Sequence, residues 1–151
     1  VKDKLIKAIS SCLYIGYVPL LGATLASILS VVLYAVIYIF FGMSAYIAIF
    51  SGLLILGLFV SAEAENLYHV HDSSRIVIDE FTACLVVFFK IPAKLSLLVL
   101  GLVIFRLLDI IKPYPANKVE RSRTKFSIMA DDLIVAVYGN LIMQVILFFF
   151  Y

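Results

Sequence analysis

From residue 8 to residue 62 the chain carries no charged side chain and no histidine. A stretch of that length offers water no ionisable face, so lipid must cover part of its surface. Gly42 divides it into an apolar run at 25–41 and a second at 45–62, each near the roughly 17 to 25 residues that cross the hydrocarbon core as a helix. Read together they form a helical hairpin. A third run, 133–151, also has spanning length and no charge. Two shorter runs, 81–92 and 95–111, flank the turn "KIPAK"; they form a second hairpin that either enters deeply or crosses at a tilt, and the sequence leaves both open. Backbone polar groups in lipid need internal partners, and the period-2 alternation of a membrane barrel is absent. The expected fold is therefore all-α, a polytopic membrane helical bundle.

Composition agrees: 64% of residues are hydrophobic, 15% are charged and the mean hydropathy is +1.13, against about 45 to 50% and about 25% in soluble domains. No linker, low-complexity tract or internal repeat divides the chain, which reads as a single domain over 1–151. Cys12 and Cys84 sit in apolar surroundings without a CxxC or histidine-rich spacing, and read as buried packing residues. The start "VKDKLIK" before an apolar stretch has the look of a secretory signal, but the apolar character runs on into a full span, and Gly16 and Pro19 interrupt it. Lys2, Lys4 and Lys7 are expected in the cytoplasm. If all five runs cross, 63–79 and 112–132 are cytoplasmic too, the latter with Lys112, Lys118, Arg121, Arg123 and Lys125. Lys90 and Lys94 then face outward, a mild conflict that a re-entrant hairpin removes.

This topology brings the acids together. Glu80 stands at the cytoplasmic start of the run 81–92, Asp109 at the cytoplasmic end of 95–111, and Asp131 with Asp132 at the start of 133–151. Thr24, Ser27 and the "HDSSR" segment at His71 reach the same level. Bland roles exist for each: Asp131 as an N-cap with Asp132 favoured by the helix dipole, Arg106 paired with Asp109 at i, i+3, and Ser73 or Ser74 as a cap. They do not account for the concentration, because burying several carboxylates together costs several kcal/mol per ion unless cations compensate them. A divalent metal does so economically, and oxygen-only ligands favour magnesium over zinc. In "FRLLDIIKPYP", Arg106, Asp109 and Lys112 recur at i, i+3 and i+6 before Pro113 ends the helix. Carboxylates for a metal beside cations for an anion is the layout of a phosphate site. These features point to a membrane enzyme acting at the cytoplasmic interface on a phosphorylated amphiphile.

The blocks "GYVPLLGATLAS", "HDSSRIVIDEF", "VIFRLLDIIKPYP" and "SIMADDLIVA" occur in that order, and the chain resembles the phosphatidylglycerophosphatase A family across 16–136. The resemblance implies a magnesium-dependent phosphatase of bacterial phospholipid synthesis. It would act on phosphatidylglycerophosphate from the inner membrane with its site facing the cytoplasm. It matches Asp79, Glu80, Asp109, Asp131 and Asp132 to the family's acidic positions, and Arg106 and Lys112 to its basic ones. Glu80, Asp109, Asp131 and Asp132 are the expected metal ligands, and Asp79 a further ligand or the general base. Arg106 and Lys112 would act on the phosphate, with Thr24, Ser27 and His71 beside the substrate. The chain departs from the pattern at Gly22, Ala23, Ala26, Ser74, Arg75 and Val137, which touches loop geometry and substrate fit more than metal chemistry.

Related archaeal proteins act on alpha-ribazole phosphate, so a soluble phosphomonoester is the alternative substrate. A small transporter or channel subunit is the alternative of another class; acids at helix ends and charge-free spans disfavour it. Neither the DGxxAR pattern of CDP-alcohol transferases nor the PSGH pattern of histidine-based lipid phosphatases is present. The expected partners are the phospholipid and the bilayer, with no nucleic acid; a homo-oligomer is left open.

Overall fold

A computed structural model of the chain describes residues 1–70, 73–124 and 126–150. Among these the elements are helices α1 (Lys2–Ser10), α2 (Gly22–Phe40), α3 (Gly42–Tyr68), α4 (Ile78–Val87), α5 (Leu95–Ile111), α6 (Ala116–Arg121) and α7 (Ser127–Phe150), with one 3-10 turn at Ile15–Tyr17 and no strand. The all-helical expectation holds. Helices α2, α3 and α7 are each long and apolar enough to cross a membrane. Their outward faces, including Val32, Ile39, Ile55, Phe59, Val145 and Phe148, are exposed apolar surface of the kind lipid covers.

Both α3 and α7 outrun the apolar windows that announced them. Helix α3 continues through "SAEAENLY" to Tyr68, and α7 begins at Ser127 rather than at 133. Hydropathy stops at the first charge, whereas the backbone keeps its hydrogen bonds as long as alanine, glutamate and leucine favour helix. Asp131 and Asp132 therefore lie in the second turn of α7, so neither is an N-cap. The N-cap of α4 is Val77, without a side-chain hydrogen bond, so Ser73 and Ser74 do not cap it.

The second hairpin is asymmetric. Helix α4 has 10 residues, about 15 Å of helix, about half the ~30 Å hydrocarbon thickness, and Ile78, Phe81, Thr82, Ala83, Cys84, Leu85 and Val87 are all buried. It packs against α2, α3 and α7, while the chain at 88–94 runs on without helix until α5 turns back. A helix that ends inside an apolar bundle exposes carbonyls that water cannot reach. Side chains of the surrounding helices satisfy them. Tyr46 donates to the Leu85 carbonyl at 2.8 Å, and Tyr34 donates to that of Ile91. Asn140 Nδ2 donates to Val87 and Phe89, each at 2.9 Å, and Gln144 Nε2 to Phe89 at 3.0 Å. Phe88 stacks on Tyr34 with ring centroids 5.2 Å apart. Gly101 on α5 makes room for that ring, since a Cβ there would stand 2.5 Å from Phe88 Cε1.

The start of α2, the end of α3, the start of α4, the end of α5 and the start of α7 form one end of the bundle. Helix α1 lies at that end against α3, Ile6 buried and Lys2 and Lys4 exposed. Its Lys2–Glu63 pair, 3.8 Å apart and solvated, contributes little.

Candidate active site

Five carboxylates expected to converge do so at this end. Asp79 and Glu80 occupy the first turn of α4, where the helix dipole favours negative charge. Asp109 lies in the last turn of α5 and Asp131 with Asp132 in the second turn of α7. Asp79, Asp109, Asp131 and Asp132 are buried. One ligand oxygen from each of Asp79, Glu80 and Asp132 comes within 4.8 Å of the other two. Glu80, Asp109 and Asp131 all act electrostatically on Asp132.

The two expected cations are inside the cluster. Arg106 Nη1 donates to Asp109 Oδ2 at 2.7 Å, the i, i+3 pair the sequence allows. Lys112 does not stay on that face. It is the residue that closes α5, in the left-handed conformation with φ 45° and ψ 70°, unfavourable for any residue with a Cβ. This turn takes its ammonium to Asp131 Oδ2 at 2.6 Å, Glu120 Oε1 at 3.0 Å and Asp132 Oδ1 at 3.8 Å. Burial works against the lysine's charge, but Asp131, Asp132 and Glu120 outweigh it and raise its pKa above the ordinary 10.5.

Glu120, on α6, was not singled out from the sequence. Its only signal is a carboxylate among the basic residues of 112–125. Thr24 and Ser27 lie in the first turns of α2: Thr24 is half-buried, and Ser27 is buried with its hydroxyl donated to the Ala23 carbonyl at 2.9 Å. The structure does not bring either to the carboxylates by a hydrogen bond among the described residues. His71 lies outside the described residues, as does Lys125.

A cavity of about 360 Å³ opens at Glu80 and is otherwise lined by 16–20, Gly22, Ala23, Ser74 and Arg75. The first sequence block thus faces the second. Gly16 permits it, because a Cβ there would lie 2.3 Å from the Arg75 carbonyl oxygen.

The donor set fits a hard divalent cation. Glu80 Oε2 is buried without a hydrogen-bond partner among the described residues, and a buried carboxylate oxygen left unsatisfied is costly. Arg106 and Lys112 are too few to neutralise the surrounding acids. With oxygen ligands only, the site suits magnesium-like ions better than zinc.

The profile of the family described as Phosphatidylglycerophosphatase A matches residues 8–147. The chain belongs to that family. It is a phosphatase, and its three apolar helices make it a membrane protein. A protein of Haemophilus influenzae named Phosphatidylglycerophosphatase A is 28% identical over 123 residues, 80% of this chain and 73% of the relative. A protein of Bacteroides thetaiotaomicron, provisionally named phosphatidylinositol-3-phosphatase, is 24% identical over 136 residues, 86% of each chain. No solved structure gives a match.

Proposed function

We propose that the chain hydrolyses the phosphomonoester of phosphatidylglycerophosphate, releasing phosphatidylglycerol and phosphate, with magnesium as its metal. The observation that carries this reading is the meeting of Asp79, Glu80 and Asp132 oxygens within 4.8 Å, beside two cations already seated on neighbouring carboxylates. Glu80 and Asp132 would hold the ion, with Asp79 as the third donor. Asp109 and Asp131 would complete the ligand set while holding Arg106 and Lys112. Bound there, a divalent ion polarises a phosphoryl oxygen and acidifies water.

The chain's own groups supply the rest. The second oxygen of Asp79 accepts the proton of the attacking water. The water oxygen bonds to phosphorus as the ester P–O bond opposite breaks, and the leaving alkoxide takes a proton from solvent. Arg106 and Lys112 stabilise the charge that grows on the phosphoryl oxygens. Apolar helix faces keep the acyl chains in the bilayer, so the head group stays at the level of the carboxylates. Lys2, Lys4, Lys7, Lys118, Arg121 and Arg123 all belong to the carboxylate end, which favours a cytoplasmic orientation in the inner membrane.

The test is phosphate release by purified protein in micelles, with and without magnesium. The panel is phosphatidylglycerophosphate, phosphatidic acid, phosphatidylinositol 3-phosphate and alpha-ribazole phosphate. Magnesium-dependent turnover highest on the first is expected. Turnover that survives chelation, or that prefers alpha-ribazole phosphate, overturns the assignment.

A further inference from the structure

The cavity at Glu80 has a basic edge as well as an acidic one. Arg75 lines it, and the guanidinium lies over the rings of Tyr17 and Tyr68, 5.3 and 5.7 Å from their centroids. The two phenols are joined by a 2.9 Å hydrogen bond, so the rings form one shelf contributed by the 3-10 turn and the end of α3. Lys7 Nζ, from α1, stands 5.7 Å from the centroid of the same Tyr68 ring. Two cations thus share this shelf at the rim. A guanidinium over aromatic faces is steadied there while its in-plane N–H groups remain directed outward, the arrangement that grips a phosphate. The backbone of Arg75 passes so close to Gly16 that a Cβ there would meet its carbonyl, which places the start of the side chain beside the 3-10 turn.

A cavity with Glu80 of the carboxylate cluster at one edge and a braced arginine at the other suits a ligand with two anionic groups. One is met through the metal and the other directly. The lipids after which the two relatives are named share that feature: each has a phosphodiester to diacylglycerol and a phosphomonoester on the polyol. We propose that Arg75, braced by Tyr17 and Tyr68, binds the lipid's phosphodiester while the carboxylate cluster works on the monoester. Arg75 is then a specificity-determining residue, selecting lipids with two phosphates over phosphatidic acid, which has one. This rests on the functional reading above.

The experiment compares wild type, Arg75→Gln and Arg75→Lys, each checked for the wild-type thermal unfolding profile. In Arg75→Gln, the ratio of kcat/KM on phosphatidylglycerophosphate to that on phosphatidic acid should fall about tenfold or more, mainly through KM. That is the scale of a lost charge-assisted hydrogen bond. Arg75→Lys should recover part of it. Calorimetric titration with dihexanoyl phosphatidylglycerol, which keeps the phosphodiester and lacks the monoester, should show binding that Arg75→Gln weakens by a similar factor. Inorganic phosphate should bind with no dependence on Arg75. An unchanged ratio, equal losses on both lipids, or Arg75-dependent binding of inorganic phosphate alone would each overturn the proposal. Absence of any lipid phosphatase activity in the wild type would remove the functional reading instead, and the phosphatidylglycerol titration would still decide the role of Arg75.

Discussion

Asp132 touches both halves of the site, sharing the carboxylate trio with α4 and approaching Lys112 at 3.8 Å. Asp132→Asn keeps the shape and removes the charge. Magnesium-dependent turnover should collapse by at least about a hundredfold, while thermal stability changes little or rises, because one buried like charge is gone. Turnover within a few-fold of wild type would remove Asp132 from the metal site. Arg106→Lys separates an ion-pair role from a phosphate grip. Lysine can still meet Asp109, but it loses the planar fork, so kcat should fall about a hundredfold with the fold intact. Near-normal turnover would make Arg106 structural. The acids and the Arg106–Asp109 pair were legible because charge inside an apolar chain is conspicuous and i, i+3 spacing is rigid. The partners of Lys112 were not. Helical spacing places it on the Asp109 face, and only the left-handed turn that ends α5 sends it to Asp131 and Glu120. The Arg75 shelf was hidden for a related reason: Tyr17 and Tyr68 are far apart in sequence, and nothing local marks them as neighbours.

Among the elements, α4 depends most on its surroundings. The carbonyls at its end and in the loop beyond have lost water, and Asn140 donates to two of them, Val87 and Phe89. Asn140→Leu should cost about 1 to 3 kcal/mol, the range for leaving buried polar groups unsatisfied, read as a lower Tm in detergent. A variant as stable as wild type would mean another donor takes over. The sequence presents 133–151 as a charge-free apolar span that carries two amides, Asn140 and Gln144, at i, i+4. Two amides on one face of a membrane helix are seldom incidental, because each needs a partner. That signal calls for unpaired polar groups at this depth in a neighbouring segment without naming the segment. The length of α4 and the burial of its loop were beyond reach, because an apolar run reads alike as a buried half-helix and as a tilted span.

On the scale of the molecule, orientation is tested by Ser122, exposed beside α6. Ser122→Cys should react with an impermeant maleimide added to inverted vesicles, whose outer face is cytoplasmic, and not when it is added to intact spheroplasts; labelling of spheroplasts alone would reverse the topology. The native thiols should not interfere. Both are buried, and burial, with the Glu80 charge second, pushes the Cys12 pKa from 9.0 up to about 12. The thiol stays protonated at pH 8 in the folded state, so its alkylation there should be far slower than in the unfolded chain. The unfolded chain releases that proton near 9.0 and the folded one only near 12. The contribution to stability is therefore full below pH 9 and lost as pH rises from 9 to 12. Rapid Cys12 labelling at pH 8 would show that the packing of α1 on the bundle opens readily.

One consequence of the broken hairpin remains. Helix α7 meets α4 at both of its ends, through Asp132 beside Glu80 and through Asn140 beneath Val87. It therefore acts as a ruler, setting how far Glu80 stands proud of the apolar layer. A single alanine inserted between Val135 and Ala136 would lengthen that ruler by about 1.5 Å and twist it by about 100°, so anchor and carboxylate could no longer both engage. Such an insertion should abolish turnover and lower Tm together, whereas the same insertion after Phe148, past the last anchor, should leave both unchanged.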